Sequence, residues 1–231
     1  LGYNQGDTFT NAAPGSAPNY HVVAGPASSG PYAAVGVVPA GQPGAGTAVV
    51  AWYDTTSQSL KISYNPNPSS VLPADVAQWG TNVRSVDSGF AGQHVDLAMD
   101  DDGGIHLAYY SSAAGDLKYA YFSGYLDAVP DIVVVDSFLS VGSNLMIQVH
   151  DDGTNIVPYI SYYFGSFVDT RHCLRLAYRN FAAGTLGDGA SLDRFTGKWE
   201  VSSIPVANVP KNFVVSVGVL STGVPVLGFA T

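Results

Sequence analysis

The chain has 231 residues, 26 of them Gly and 14 Pro, with 46% hydrophobic residues, only 12% charged residues and a formal net charge of −9. That length and turn-rich composition suit one large domain of many short elements, and the longest apolar runs, such as Ile132 to Val135, are far too short for a membrane-spanning helix. The acidic balance repels phosphate backbones and argues against a nucleic-acid partner, while the lone Cys173 excludes an intrachain disulfide.

Lys and Glu are scarce, whereas Ser, Thr, Gly, Tyr and Asn are abundant. This balance is that of a secreted or cell-surface β-protein, so an extracytoplasmic location is expected. The chain begins at Leu1 rather than Met, without a charged-then-apolar leader, and reads as a mature or trimmed product.

In chain order, Leu1-Gly2-Tyr3-Asn4 matches the tail of a later strand, Ile62-Ser63-Tyr64-Asn65, and Tyr20-His21-Val22-Val23 supplies a strand of its own. A first full unit follows with strands at Tyr32 to Val38, Val49 to Tyr53, Leu60 to Tyr64 and, after the Pro-rich connection Pro66 to Gln78, Val83 to Ser88. A second unit runs through His94 to Met99, His106 to Tyr110, Leu117 to Tyr121 and Ile132 to Ser137. A third comprises Leu145 to Val149, Tyr159 to Tyr163, Leu174 to Tyr178 and, past the Gly-rich connection Phe181 to Lys198, Trp199 to Ile204. The chain closes on Phe213 to Val219 and Val226 to Ala230, the first two strands of a fourth unit.

Leu60, Leu117 and Leu174 open the third strands at a constant spacing of 57 residues. Asp- and Gly-rich turns separate strands that alternate with period two, so each unit reads as an antiparallel meander. A repeat of this length with four strands per unit points to the blades of a β-propeller. The expected fold is all-β: four-stranded antiparallel blades, about four in this chain, at 32–88, 94–137, 145–204, and 212–231 together with 1–24. The last blade is expected to be completed by the N-terminal strands, which hides the edges; the rival arrangement is a subunit of a larger ring completed by another chain.

The run VDLAMDDDGGIHLAYYSSAAGDLKYAYF, followed by Asp131 to Ser137, resembles the repeat of secreted bacterial and archaeal β-propellers and is similar in appearance to sialidase-type propellers. The resemblance is best from Trp79 to Ser137. It implies the fold; proteins with such repeats have many roles.

Candidate chemistry is sparse. The turns Asp100-Asp101-Asp102-Gly103 and Asp151-Asp152-Gly153 cluster carboxylates that suit Ca²⁺, the one cofactor the sequence allows; Asp and Gly are equally what a tight hairpin turn demands. The loop Phe164 to Cys173 departs from its counterpart Ser111 to Asp116 by carrying Asp169, Arg171 and His172, a candidate ligand-binding group grafted on the repeat. A solvated ion pair explains the same residues. Cys173 lacks a partnered base, because His172 beside it points to the opposite face of an extended strand. His21, His94, His106, His150 and His172 show no metal spacing, although His94 and His106 fall in neighbouring strands. The aromatics Trp52, Tyr53, Tyr109, Tyr110, Tyr162, Tyr163 and Phe229 recur at one phase, which packing explains before sugar stacking does.

A sialidase-like site would need an arginine cluster and two carboxylates. The five arginines are Arg84, Arg171, Arg175, Arg179 and Arg194, Glu200 is the sole Glu, and the Ser-x-Asp-x-Gly-x-Thr-Trp turn of that family is missing. The expected function is therefore a non-catalytic binding or assembly module for a protein or glycan partner, with oligomerisation through unpaired blade strands as a further route. The alternative is a carbohydrate-active hydrolase or lyase of the sialidase-like type.

Overall fold

The computed structural model describes residues 29–66, 81–165, 172–181, 198–204 and 214–230. Sheet 1 contains β1 (Ser29–Val37), β2 (Ala48–Asp54), β3 (Ser59–Asn65) and β4 (Arg84–Asp87). Sheet 2 contains β5 (Ala91–Met99), β6 (Ile105–Ser111), β7 (Asp116–Phe122) and β8 (Asp131–Asp136). Sheet 3 contains β9 (Val141–Asp151), β10 (Ile156–Gly165), β11 (His172–Asn180) and β12 (Lys198–Ile204). Sheet 4 pairs β13 (Val214–Val219) with β14 (Pro225–Ala230). Every pairing is antiparallel between chain neighbours, so each sheet is a meander, and the all-β expectation holds with three four-stranded sheets and a two-stranded fourth. Leu1 to Asn4, Tyr20 to Val23 and most of both long connections lie outside the described residues.

Consecutive sheets pack face to face. Leu60, Ile62, Leu97, Leu107 and Tyr109 fill the layer between sheets 1 and 2; Leu117, Tyr119, Ile147, Ile160 and Tyr162 fill the next. Leu176, Val215 and Val217 contribute to the smaller clusters between sheets 3 and 4. The first strands run side by side through the array, β1 against β5, β5 against β9 and β9 against β13. Burial of a side chain such as Leu60 or Ile62, each fully buried, contributes roughly 2 kcal/mol, about twice a typical net hydrogen bond. Apolar layering therefore dominates stability.

β1, β5 and β9 start earlier than the alternating pattern indicates, because each is bulged near its start. The register slips between Gln93 and Asp96 in β5 and between the partners of Tyr163 and Ser161 in β9. His94 (φ 52°) and Asn144 (φ 48°) occupy the left-handed region at these bulges, which His and Asn tolerate better than most residues. Gly92 (φ 108°) precedes the first bulge, where a Cβ would lie 2.8 Å from the Leu60 Cα of the neighbouring sheet. Glycine is needed there both for its backbone angle and for the close approach.

A polar clasp repeats at the rim. Asp87 ends β4, and its Oδ2 accepts the Tyr109 hydroxyl and the Lys118 ammonium of sheet 2, each at 2.9 Å. Asp136 ends β8, and its Oδ2 accepts Tyr162 at 2.7 Å and Arg175 at 2.6 Å from sheet 3. Arg175 also lies over the Phe164 ring at 4.0 Å. In each case the last residue of one sheet holds the second and third strands of the next.

Removing Asp136 strands the nearly buried Arg175, so Asp136→Ala is expected to cost about 3–5 kcal/mol. Asp87→Ala should cost about 1–2 kcal/mol, since Lys118 retains 20% side-chain exposure and reaches water. Urea unfolding of both variants checks this order; equal losses would contradict it.

Candidate functional site

The turns and strand ends fall on two ends of the array. At the end where the first strands begin lie Tyr32, Phe90, His94, Tyr110 and the clasp aspartates; at the other lie the acidic hairpin turns. Gly165 pairs with His172 at the first of these ends. Of the predicted ligand group, Asp169 and Arg171 lie outside the described residues, and His172 is placed as the first residue of β11. Cys173 follows it, half-buried against the layer between sheets 2 and 3.

In each acidic turn, Asp100 in one and Asp151 with Asp152 in the other, carboxylates bond to their own hairpin. Asp100 is buried; its Oδ1 accepts the Gly104 N–H at 2.6 Å and its Oδ2 the His106 Nε2–H at 3.0 Å. The exposed Asp101 accepts Gln42 through its carbonyl, and Asp102 is also exposed. Asp151 accepts the Gly153 N–H, and Asp152 accepts those of Thr154 and Asn155, all at 2.8 Å. Those two backbone bonds hold the exposed Asp152 carboxyl below its usual range. Asp101 and Asp102 are the two predicted calcium ligands with no such carboxylate bond. Among the described residues no group of three or more His, Cys, Asp or Glu side chains converges as a metal cluster.

His106 stands in a wholly buried chain. Its Nε2 lies 3.0 Å from Asp100 Oδ2 and its Nδ1 2.7 Å from the Tyr119 hydroxyl; in the neutral ring that burial favours, Nε2–H donates to the carboxylate and Nδ1 accepts from Tyr119. Burial pushes its pKa down in spite of the Asp100 carboxylate. Burial opposes charge on Asp100 as well, yet the His106 bond and the turn N–H bonds outweigh it and hold this carboxyl below its ordinary value. Tyr119 is 1% exposed, so this Asp–His–Tyr sequence reaches no substrate and ties β6 to β7 and to their turn.

His94 is not beside His106; its ring stacks on Tyr32 of sheet 1 at 4.3 Å and faces Tyr110 at 6.4 Å. Both Tyr109 and Tyr162 are core residues with no exposure, as packing predicts for the recurrent aromatics, whereas Tyr110 is half-buried with its hydroxyl 2.9 Å from Ser140 Oγ. Asp96, two residues past His94, accepts the Ile147 N–H of the next first strand at 2.9 Å; burial raises its pKa against that bond. Glu200 accepts Tyr178 and Asn180 of its own sheet. The Arg84 guanidinium donates to the carbonyls of Tyr125 and Asp127, stapling sheet 1 to the loop after β7. Among the described residues the carboxylates of Asp87, Asp96, Asp100, Asp136 and Glu200 are thus bonded to the scaffold.

Neutral His94 and His106 set the acid response. Their folded pKa values lie below the unfolded value of about 6.5, so the stabilisation is complete above that value and is lost as pH falls through it. Asp100 has the same sign in a lower window, lost as pH falls from about 3.8 through its depressed folded value. Urea unfolding at neutral pH and near pH 5.5 should show lower stability in acid, and His106→Gln should flatten that difference; an unchanged slope would contradict the assignment. Because Asp100, Asp151 and Asp152 serve their own turn N–H groups and leave only Asp101 and Asp102 open, millimolar calcium is expected to change unfolding free energy by less than about 1 kcal/mol, read by thermal unfolding with and without chelator.

Compared with known proteins, the chain matches no family model, no curated sequence and no solved structure.

Proposed function

We propose that the chain is an extracytoplasmic β-propeller serving as a non-catalytic binding or assembly module for a protein or glycan partner. The observation that carries this reading is the pair of apolar faces at the two ends of the sheet array. On the outer face of sheet 1, Val35 is 59% and Val37 55% exposed; on that of sheet 4, Val214 is 70% and Val226 51% exposed. Neither face carries a charged side chain on its first strand, and both have the valine-rich, small-residue character of the layers inside the array. Such faces are covered in a folded protein or serve as interaction surfaces. If the ring closes, they cover one another.

Trp52 supports the closed arrangement. It sits at the position of Tyr109 and Tyr162, is 3% exposed, and its indole N–H finds no acceptor among the described residues. Leu1 to Asn4 and Tyr20 to Val23 match the sequence pattern of the third and fourth strands that sheet 4 would need for its completion. In sequence alignment Val23-Ala24 stands where Val86-Asp87 and Val135-Asp136 stand in the other units. Lys61, which follows Lys118 and Arg175 in register, is neutralised within its own sheet by Asp54 at 3.1 Å. The closing interface therefore needs no clasp carboxylate. The sparse, acidic, Lys- and Glu-poor composition supports the extracytoplasmic location. Among the described residues no helix is long and apolar enough to cross a membrane.

Native mass measurement tests the closed ring. The full chain is expected to be a monomer, and removal of residues 1–24 should expose the edge of β14 and drive self-association. A full chain that is dimeric at micromolar concentration would instead favour a ring shared between chains.

A further inference from the structure

The end of the array where the first strands begin holds an aromatic–imidazole contact at the edge of the layer against which Tyr32 packs, and outside the clasps. Tyr32 on β1 and His94 on β5 come from different sheets, and their rings meet at 4.3 Å with planes 41° apart. Both are half-buried. Tyr110 closes one side at 6.4 Å from the imidazole. Phe90, 43% exposed, lies at the same end, held by main-chain bonds from its N–H to Gln58 and from Ser112 N–H to its carbonyl. The Tyr32 hydroxyl and both His94 ring nitrogens have no hydrogen-bond partner among the described residues. This contrasts with His106, whose two nitrogens are both bonded.

The chemistry of this cluster is specific. Two tilted ring faces offer apolar contact, and three vacant donor or acceptor groups sit at their edges. Burial alone lowers the His94 pKa, with no charged neighbour among its causes. A protein hot spot would be expected to centre on a broader apolar patch with a charged rim. An anionic ligand would approach a chain of net charge −9, and among the described residues no cation acts on the imidazole.

From these observations we propose that Tyr32 and His94, with Tyr110 beside the imidazole, form a binding platform for a neutral oligosaccharide. The carbon–hydrogen face of a sugar lies on the two rings, and its hydroxyls, each both donor and acceptor, pair with the Tyr32 hydroxyl and the His94 nitrogens. The left-handed backbone at His94 aims the imidazole at Tyr32 and across the boundary between sheets 1 and 2. Asn144 occupies the same bulge in the next unit with nearly the same angle, so the bulge belongs to the fold and the imidazole is the local addition. This inference rests on reading the chain as a binding module but is independent of ring closure.

The test uses the full ¹⁵N-labelled chain, following the histidine imidazole resonances during titration with neutral hexasaccharides of glucose, mannose, xylose and N-acetylglucosamine. At least one saccharide is expected to shift His94 saturably while the buried His106 stays unmoved. His94→Asn keeps a residue suited to the left-handed backbone and should weaken that binding at least tenfold; Tyr32→Phe keeps the ring and should weaken it severalfold. Matching urea midpoints would establish that both variants remain folded. The proposal is overturned if none of the saccharides shifts His94, if His94→Asn binds as tightly as the parent chain, or if only a protein ligand perturbs the site. None of these outcomes alters the native mass, so failure here is distinct from failure of ring closure.

Discussion

Each inner sheet must be apolar on both faces at once. Along β6, Ile105 through Tyr109 are all without exposure, although successive side chains point to opposite sides. β2 shows the same pattern from Val49 to Tyr53, none of them more than 7% exposed. This two-sided demand explains a chain with 46% hydrophobic and only 12% charged residues. It also explains the close contacts between sheets: Gly36 in β1 leaves room for Leu97 and Met99, where a Cβ would come within 2.5 and 2.8 Å. The polar side chains of Asp100, His106 and Tyr119 are buried as a mutually bonded set.

The rim clasps follow a matching rule from one interface to the next. Between sheets 1 and 2 and between sheets 2 and 3, a tyrosine hydroxyl meets an aspartate. Between sheets 3 and 4 both partners change together. Ile204 pairs with Leu174 in the register where Asp87 and Asp136 meet Leu60 and Leu117, and Phe229 stands at the tyrosine position. Retaining either polar group alone would leave a carboxylate or a hydroxyl without its mate, at a cost of about 1–3 kcal/mol. Repeats that diverge in concert at facing positions indicate that these contacts constrain the sequence as pairs.

Much of the fold was legible from residue pattern alone. The second and third strands show through their apolar spacing and the regular leucines at 60, 117 and 174. The starts of the first strands were hidden because His94 and Asn144 interrupt period two at a bulge, and a bulge has no signature in hydrophobicity. Asp100 read as a turn residue or a calcium ligand, since nothing local reveals that its carboxylate turns inward to His106. The clasps escaped notice because their members lie 22 to 39 residues apart, although the recurrent Val-Asp-Ser that ends Val86 to Ser88 and Val135 to Ser137 was the available signal. The contact between Tyr32 and His94 was likewise invisible, as it joins two sheets through a backbone angle.

The concerted changes at the rim also give the array an address system. A sheet carrying Tyr162 and Arg175 suits a predecessor ending in an aspartate, not one ending in Ile204, and Phe229 suits the reverse. Near-identical meanders joined in tandem are prone to stacking in the wrong order or exchanging places with units of another chain. Here a misplaced unit would bury an unmatched charge or hydroxyl beside a mostly apolar layer. Residues that add little net stability thus discriminate among assemblies of similar hydrophobic energy, and the unit order along the chain becomes the order in space.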